Sequence, residues 1–215
     1  MDIEIDTIPQ ELKEHPAWVN WIVGERNGKP TKIPITPRTE KWAKSNDPST
    51  WASFDDAVQC YQECENNSIA GLGFMFRNSD LWGMDLDHCR DPETGIIEPW
   101  AMQIIHEANT YAEVSPSGTG VHLIGRGKLP PGGRKKGRVE MYDTGRFFTV
   151  TGHHIEGTPL TICDRQAEIE ELHRSIFGKA DIEQDGDEEL IRKSKTASNG
   201  PRLFEITFQG NSRGV

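Results

Sequence analysis

Long apolar runs are missing from this 215-residue chain: no stretch of about 18 apolar residues occurs, which argues against a transmembrane helix. The first residues, Met1-Asp2-Ile3-Glu4-Ile5-Asp6, are acidic where a secretory leader is basic and then apolar. The expectation is a cytoplasmic protein with no membrane partner. Cysteine is scarce: Cys60, Cys64, Cys89 and Cys163 lack the paired spacing of a zinc ribbon, and without a leader they read as reduced thiols. Positive charge is short as well, with 24 Lys and Arg against 34 Asp and Glu and a net charge of −10. That balance argues against a protein that coats nucleic acid nonspecifically, since phosphate binding needs clustered cations. The deficit reverses locally, however. Arg126, Lys128, Arg134, Lys135, Lys136 and Arg138 follow one another with no acid among them, either a basic track or a solvated loop around Pro130-Pro131-Gly132-Gly133.

What is present reads as one large domain with a tail. A short helix near Pro9 to His15 precedes the alternating strand Trp18-Val19-Asn20-Trp21-Ile22-Val23. Asn27-Gly28 predicts a hairpin turn into Lys29 to Ile35, an edge strand because Pro30 and Pro34 interrupt it. Ser53 and Asp56 open a helix with Phe54, Ala57, Val58 and Tyr61 on one stripe. Leu72–Phe76 and Leu81–Asp87 are expected to form a hairpin around Asn78-Ser79-Asp80, and Val139–Tyr142 and Phe147–Thr151 another around Asp143-Thr144-Gly145. Helices are expected over Pro99–Asn109 and Arg165–Phe177, with Gly178 ending the second. Strands interleaved with a few helices indicate an α/β or α+β sandwich with a largely antiparallel sheet. The expected division is a catalytic domain over 1–178, a charged flexible linker over 179–201, and the start of a further module or a docking segment over 202–215.

The chemistry centres on Asp85 and Asp87 in Leu81-Trp82-Gly83-Met84-Asp85-Leu86-Asp87-His88. Alternation puts both carboxylates on one face and Met84 and Leu86 on the other. Such a pair repels itself unless a cation lies between, and hard divalent metals are the usual answer; the ordinary alternative is a strand end capping a turn. The turn Ser115-Pro116-Ser117-Gly118-Thr119-Gly120 could present N–H groups to phosphates or could be a plain hairpin loop. His122 on the following strand could donate to a phosphate oxygen, and Glu140 on a neighbouring strand could complete a metal site.

In that order, these motifs resemble the primase-polymerase catalytic domain of the archaeo-eukaryotic primase superfamily, in its phage, plasmid and mobile-element branch. Met84-Asp85-Leu86-Asp87 is similar to its hDhD strand, Gly120-Val121-His122 to its sxH turn, and Val139-Glu140-Met141-Tyr142 to its third acidic strand. The likeness runs from Trp18 to Gly152 and takes in Lys29-Pro30-Thr31-Lys32-Ile33-Pro34 and Gly145-Arg146-Phe147-Phe148. One departure is Gly120, which stands where the motif has Ser, leaving any hydroxyl contact to Ser117 or Thr119.

The resemblance implies a two-part α+β fold: an RRM-like, mainly antiparallel catalytic sheet packed with a second α/β half, and an active site in the cleft between. It implies Asp85, Asp87 and Glu140 as ligands of two Mg²⁺ or Mn²⁺ ions. His122 would hold the nucleotide's phosphates, with Ser115, Ser117, Gly118, Gly120 and Arg146 in the nucleotide site. Lys29, Lys32, Arg134, Lys135 and Lys136 would track nucleic acid. The activity implied is DNA-directed nucleotidyl transfer, a primase or polymerase acting with NTPs or dNTPs on a single-stranded DNA template and primer, in replication of a phage, plasmid or mobile or defence element. An accessory or helicase domain is the expected partner in a longer polypeptide.

Two other classes compete. A metal-dependent nuclease or rolling-circle initiator also sets acids and histidines on a small sheet, but the initiator needs His-x-His and a Tyr nucleophile on a helix; His153-His154 are adjacent, and Tyr61 is the only tyrosine on a predicted helix. A binding module that has lost catalysis would be expected to lose a carboxylate, and all three are present. Without bound metal and nucleotide, one of the two aspartates should titrate high.

Overall fold

Residues 2–39, 41–64, 68–77 and 79–178 are described by the computed structural model. After the short helix α1 (Gln10–Lys13), strands β1 (Trp18–Arg26) and β2 (Lys29–Ile35) form the expected hairpin. Asn27 and Gly28 have φ of 55° and 74°, the left-handed values that a two-residue hairpin turn requires. Helix α2 (Phe54–Gln62) begins where the Ser53 hydroxyl accepts from the Asp56 N–H. The Asp56 carboxylate pairs with Arg38.

There follow β3 (Gly71–Phe76), β4 (Leu81–Leu86), α3 (Pro99–Ala108), β5 (Tyr111–Val114), β6 (Val121–Arg126), β7 (Lys135–Lys136), β8 (Val139–Tyr142), β9 (Arg146–Val150) and α4 (Gln166–Phe177). The strands make two sheets, β2-β1-β3-β9 and β5-β6-β4-β8-β7, and every strand pair in them is antiparallel. The fold is α+β in two parts, as expected. Residues Met1–Phe177 form one compact unit. The linker and further module expected beyond residue 178 lie outside the described residues.

Two of the expected hairpins do not form. β3 pairs with β1 and β9, whereas β4 pairs with β6 and β8, so the chain changes sheets between them. It changes back between β8 and β9. Apolar runs identify these segments as strands, but periodicity carries no information about which sheet a strand joins. Each of β3 and β4 already has both edges occupied. The two crossings run side by side, because β3 and β9 are neighbours in the first sheet and β4 and β8 in the second. Gly83 lets the sheets approach here: a Cβ would stand 2.8 Å from ring carbons of Phe76 and Phe148.

Two cores result. Trp18, Leu72, Phe74, Phe76 and Phe148 pack with Phe54 and Ala57 of α2 in the first, with Trp18 edge-on to Phe54 and Phe74. Trp82, Met84 and Leu86 of β4 pack with Ala101 and Ile105 of α3 and Ile169 and Leu172 of α4 in the second. Because β4 alternates, its other face carries Gly83 and Asp85, turned away from those helices.

Candidate active site

The ladders of the second sheet bring one polar residue from each strand into a single transverse row. Glu113 on β5 stands opposite His122 on β6, His122 opposite Asp85 on β4, Asp85 opposite Glu140 on β8, and Glu140 opposite Lys135 on β7. Directly opposed residues share a face, so this row is fixed by register alone. It runs from a fully buried end at Glu113 to an exposed end at Lys135.

His122 is anchored at one nitrogen. Its Nδ1 donates to the Thr149 carbonyl at 3.0 Å and lies 3.5 Å from Glu113 Oε1, which leaves Nε2 facing Asp85 Oδ1 at 3.7 Å. Glu113 in turn accepts from the Thr151 and Gly152 N–H groups and the Tyr111 hydroxyl. At the other end, Glu140 takes an ammonium contact from Lys135 and a hydrogen bond of 2.8 Å from Tyr142. Asp87 lies just past β4, its N–H donating to the Arg138 carbonyl.

The middle of the row opens into a cleft of about 280 Å³. Asp85, His122 and Glu140 form one wall; Lys32 of β2 and Arg146, Phe147, Phe148 and Thr149 of β9 form the other, with Tyr142 also lining it. Acids therefore come from the second sheet and the cations Lys32 and Arg146 from the first. Two larger hollows, about 570 and 540 Å³, lie beside α2. Neither brings two carboxylates together, so the chemistry points to the smaller one.

Charge and burial oppose each other in this cleft. Burial, with repulsion from Asp87 and Glu140, pushes the Asp85 carboxyl up, against the pull of His122 and Lys32. This is the aspartate expected to titrate high, although burial outweighs the pair repulsion that motivated the expectation. Burial would raise Glu140 too, but its hydrogen bonds from Lys135 and Tyr142 and the nearby Arg146 hold it below the usual range. For His122, burial disfavours the charged form, yet Glu113 and Asp85 raise its pKa on balance.

Among the described residues, no three His, Cys, Asp or Glu side chains converge as a ready metal cage. The donor chemistry nevertheless suits a hard cation: Asp85 and Glu140 offer carboxylate oxygens to the cleft, and Asp87, which does not line it, adds its charge to theirs at Asp85. Lys135 would have to release Glu140 for it to serve as a ligand.

The expected phosphate turn is engaged with itself. The N–H groups of Gly118, Thr119 and Gly120 donate to the Ser115 carbonyl, the Ser117 hydroxyl and the Ser115 hydroxyl, and Ser117 also contacts Thr119. Arg90 clasps the turn through the Gly118 and Thr119 carbonyls. None of Ser115, Ser117, Gly118 and Gly120 lines the cleft. Gly120 is explained locally: a Cβ there would stand 2.8 Å from the Leu86 carbonyl oxygen.

The basic strip is largely committed to intramolecular partners. Arg126 pairs with Asp80, Arg134 donates to the Pro130 carbonyl, Lys136 to the Ile176 carbonyl, and Arg138 makes a two-pronged contact with Glu98. Lys29 sits at the exposed hairpin end, whereas Lys32 reaches the cleft. Motif order alone did not single out Glu113. Its signal was the one that exposed Asp85, an acid inside an otherwise apolar strand.

Two antiparallel sheets with a cleft between an acid–histidine row and a cationic wall define a two-part α+β protein built around a charged site. The chain is 34% identical over 186 residues to the DNA primase-polymerase of Nitratiruptor phage NrS-1, a match covering 83% of this chain and 24% of that protein. Over that span the chain is similar to a phage primase-polymerase, the likeness that its motifs implied. It spans about a quarter of the relative's length. No family model matches the chain.

Proposed function

We propose that this chain carries a nucleotidyltransferase site that makes or extends primers on single-stranded DNA, in replication of a phage, plasmid or related element. The observation that carries this reading is the register-fixed row His122–Asp85–Glu140 facing Lys32 and Arg146 across the cleft. The phage relative, named a DNA primase-polymerase, supports it.

In this reading a 3′-hydroxyl attacks the α-phosphorus of a nucleoside triphosphate; a P–O bond forms to the strand, and the α–β bridge breaks as pyrophosphate leaves. Asp85, Asp87 and Glu140 would hold two Mg²⁺ or Mn²⁺ ions, which when bound lower the pKa of the hydroxyl and offset charge on the leaving phosphates. His122, fixed through Nδ1, directs Nε2 into the cleft, where the protonated imidazole that Glu113 and Asp85 favour would donate to a phosphate oxygen. Arg146, its guanidinium 5.0 Å from the centre of the Tyr142 ring, offers a planar fork to the same phosphates or to the growing strand.

The test is primer extension and de novo priming on single-stranded templates with Mg²⁺ or Mn²⁺, beside the double variant Asp85→Ala/Asp87→Ala. Metal-dependent product that vanishes in the variant is expected. Nucleotide and DNA binding without product under either metal would favour a binding module, the reading to which the Lys135–Glu140 contact lends some support.

A further inference from the structure

Lys32 is set apart from the other lysines and arginines by where its ammonium goes. It stands on an edge strand and as a residue is exposed, yet its Nζ turns into the cleft, 3.4 Å from the Thr149 hydroxyl and 5.5 Å from the centre of the Trp21 ring. Burial lowers its pKa while Asp85, across the cleft, and Asp87 hold it up. Among the described residues no carboxylate lies within ion-pair distance of it, unlike Arg126, Lys135 and Arg138, which are paired. Lys32 is therefore a cation facing the acid row without being neutralised by direct contact.

That position suits a phosphate ligand better than a DNA backbone track. A triphosphate entering the cleft meets repulsion from Asp85 and Glu140 on one wall and attraction from Lys32 and Arg146 on the other. The Ser115–Gly120 turn has its central N–H groups already satisfied and does not line the cleft, whose lysine and arginine, Lys32 and Arg146, both come from the first sheet. An ammonium on a flexible stem can follow the phosphates as they rearrange, which complements the rigid fork of Arg146.

We propose that Lys32 binds the triphosphate of the incoming nucleotide, from the sheet opposite the carboxylates. This rests on the nucleotidyl-transfer reading above. The test compares wild type with Lys32→Ala, Lys32→Gln and Lys32→Arg. Three quantities are measured: the Kd of a non-hydrolysable α,β-methylene deoxynucleoside triphosphate with the protein–primer–template complex, the Kd of primer–template alone by fluorescence anisotropy, and kcat and KM for nucleotide in extension. Losing one charge-assisted contact should raise the analogue Kd and the nucleotide KM about 10- to 100-fold. DNA affinity should stay within about twofold, and Lys32→Arg should recover part of the loss.

Weakened DNA binding with unchanged analogue affinity would overturn the assignment and return Lys32 to a backbone track. So would analogue affinity unchanged in both neutral variants. A wild type that binds the analogue through Lys32 yet extends nothing would sink the polymerase reading and leave the Lys32 assignment standing. A wild type that neither extends nor binds would sink both.

Discussion

Glu113 and His122 oppose each other on the β5–β6 ladder, Oε1 lying 3.5 Å from Nδ1, and the carboxylate is wholly shielded from solvent. Glu113 thus sets the ring through which Asp85 is met. Glu113→Gln turns an amide donor toward the Thr151 and Gly152 N–H groups or withdraws the acceptor from His122. The expected result is a fall in kcat of about 10- to 100-fold, the usual cost of losing a residue that orients a site group. Glu113→Asp should restore part of kcat. Unchanged kcat beside a lowered Tm would reduce Glu113 to a structural tie between β5 and the segment after β9.

Asp85 makes the metal-free protein pay a stability cost at neutral pH. Burial, with Asp87 and Glu140 adding to it, holds its folded pKa above the unfolded value, so the native state binds the proton more tightly. Native stability therefore declines as pH rises from the ordinary aspartate value, about 3.9, through the raised one. Asp85→Asn should melt above wild type at pH 7, by roughly 2–4 °C for each kcal/mol recovered, with the gap closing toward pH 4. Added Mn²⁺ should raise the wild-type Tm more than that of the variant. A variant melting below wild type at pH 7 would refute the account.

Gly120→Ser restores the family's usual residue but brings a Cβ to 2.8 Å from the Leu86 carbonyl. Because the obstacle is backbone in the strand that carries Asp85, relief must move β4 or the turn. The expected cost is about 1–3 kcal/mol of stability, read by urea denaturation. Midpoints equal to wild type would show that the turn accommodates a side chain.

Arg138 separates the strip's structural role from a nucleic-acid role. Its guanidinium grips both Glu98 oxygens, at 3.0 and 2.8 Å, donates to the His88 carbonyl and lies over the Trp100 ring. Arg138→Ala should lower Tm and leave the Kd for single-stranded DNA, measured by anisotropy at two salt concentrations, within about twofold. A weaker Kd with a smaller salt slope would place Arg138 against phosphate.

The sequence made the acid–histidine row only partly legible. Period-two alternation put Asp85 on the face opposite Met84 and Leu86 correctly, and the motifs singled out His122 and Glu140, which flank Asp85 on its two ladders. Glu113 stayed hidden because its strand has four residues and two of its partners, Thr151 and Gly152, lie far along the chain. Lys135 read as part of a charge run, whereas register sets it beside Glu140. Lys32 read as an edge-strand cation because only the facing of the two sheets reveals its cleft. The two mistaken hairpins share that cause: pattern identifies strands, and tertiary packing assigns their neighbours.

The paired crossings from β3 to β4 and from β8 to β9 make a seam. Phe76 opposes Arg146 at the end of one ladder, Gly83 opposes Tyr142 near the start of the other, and the Gly145 N–H donates to the Phe76 carbonyl where the ribbon bends. Both walls of the cleft hang from this one folded ribbon. The spacing between the cations and the acids is therefore a property of its bend, and a substitution at Gly83 or Gly145 would retune the jaw of the site without touching any group that does its chemistry.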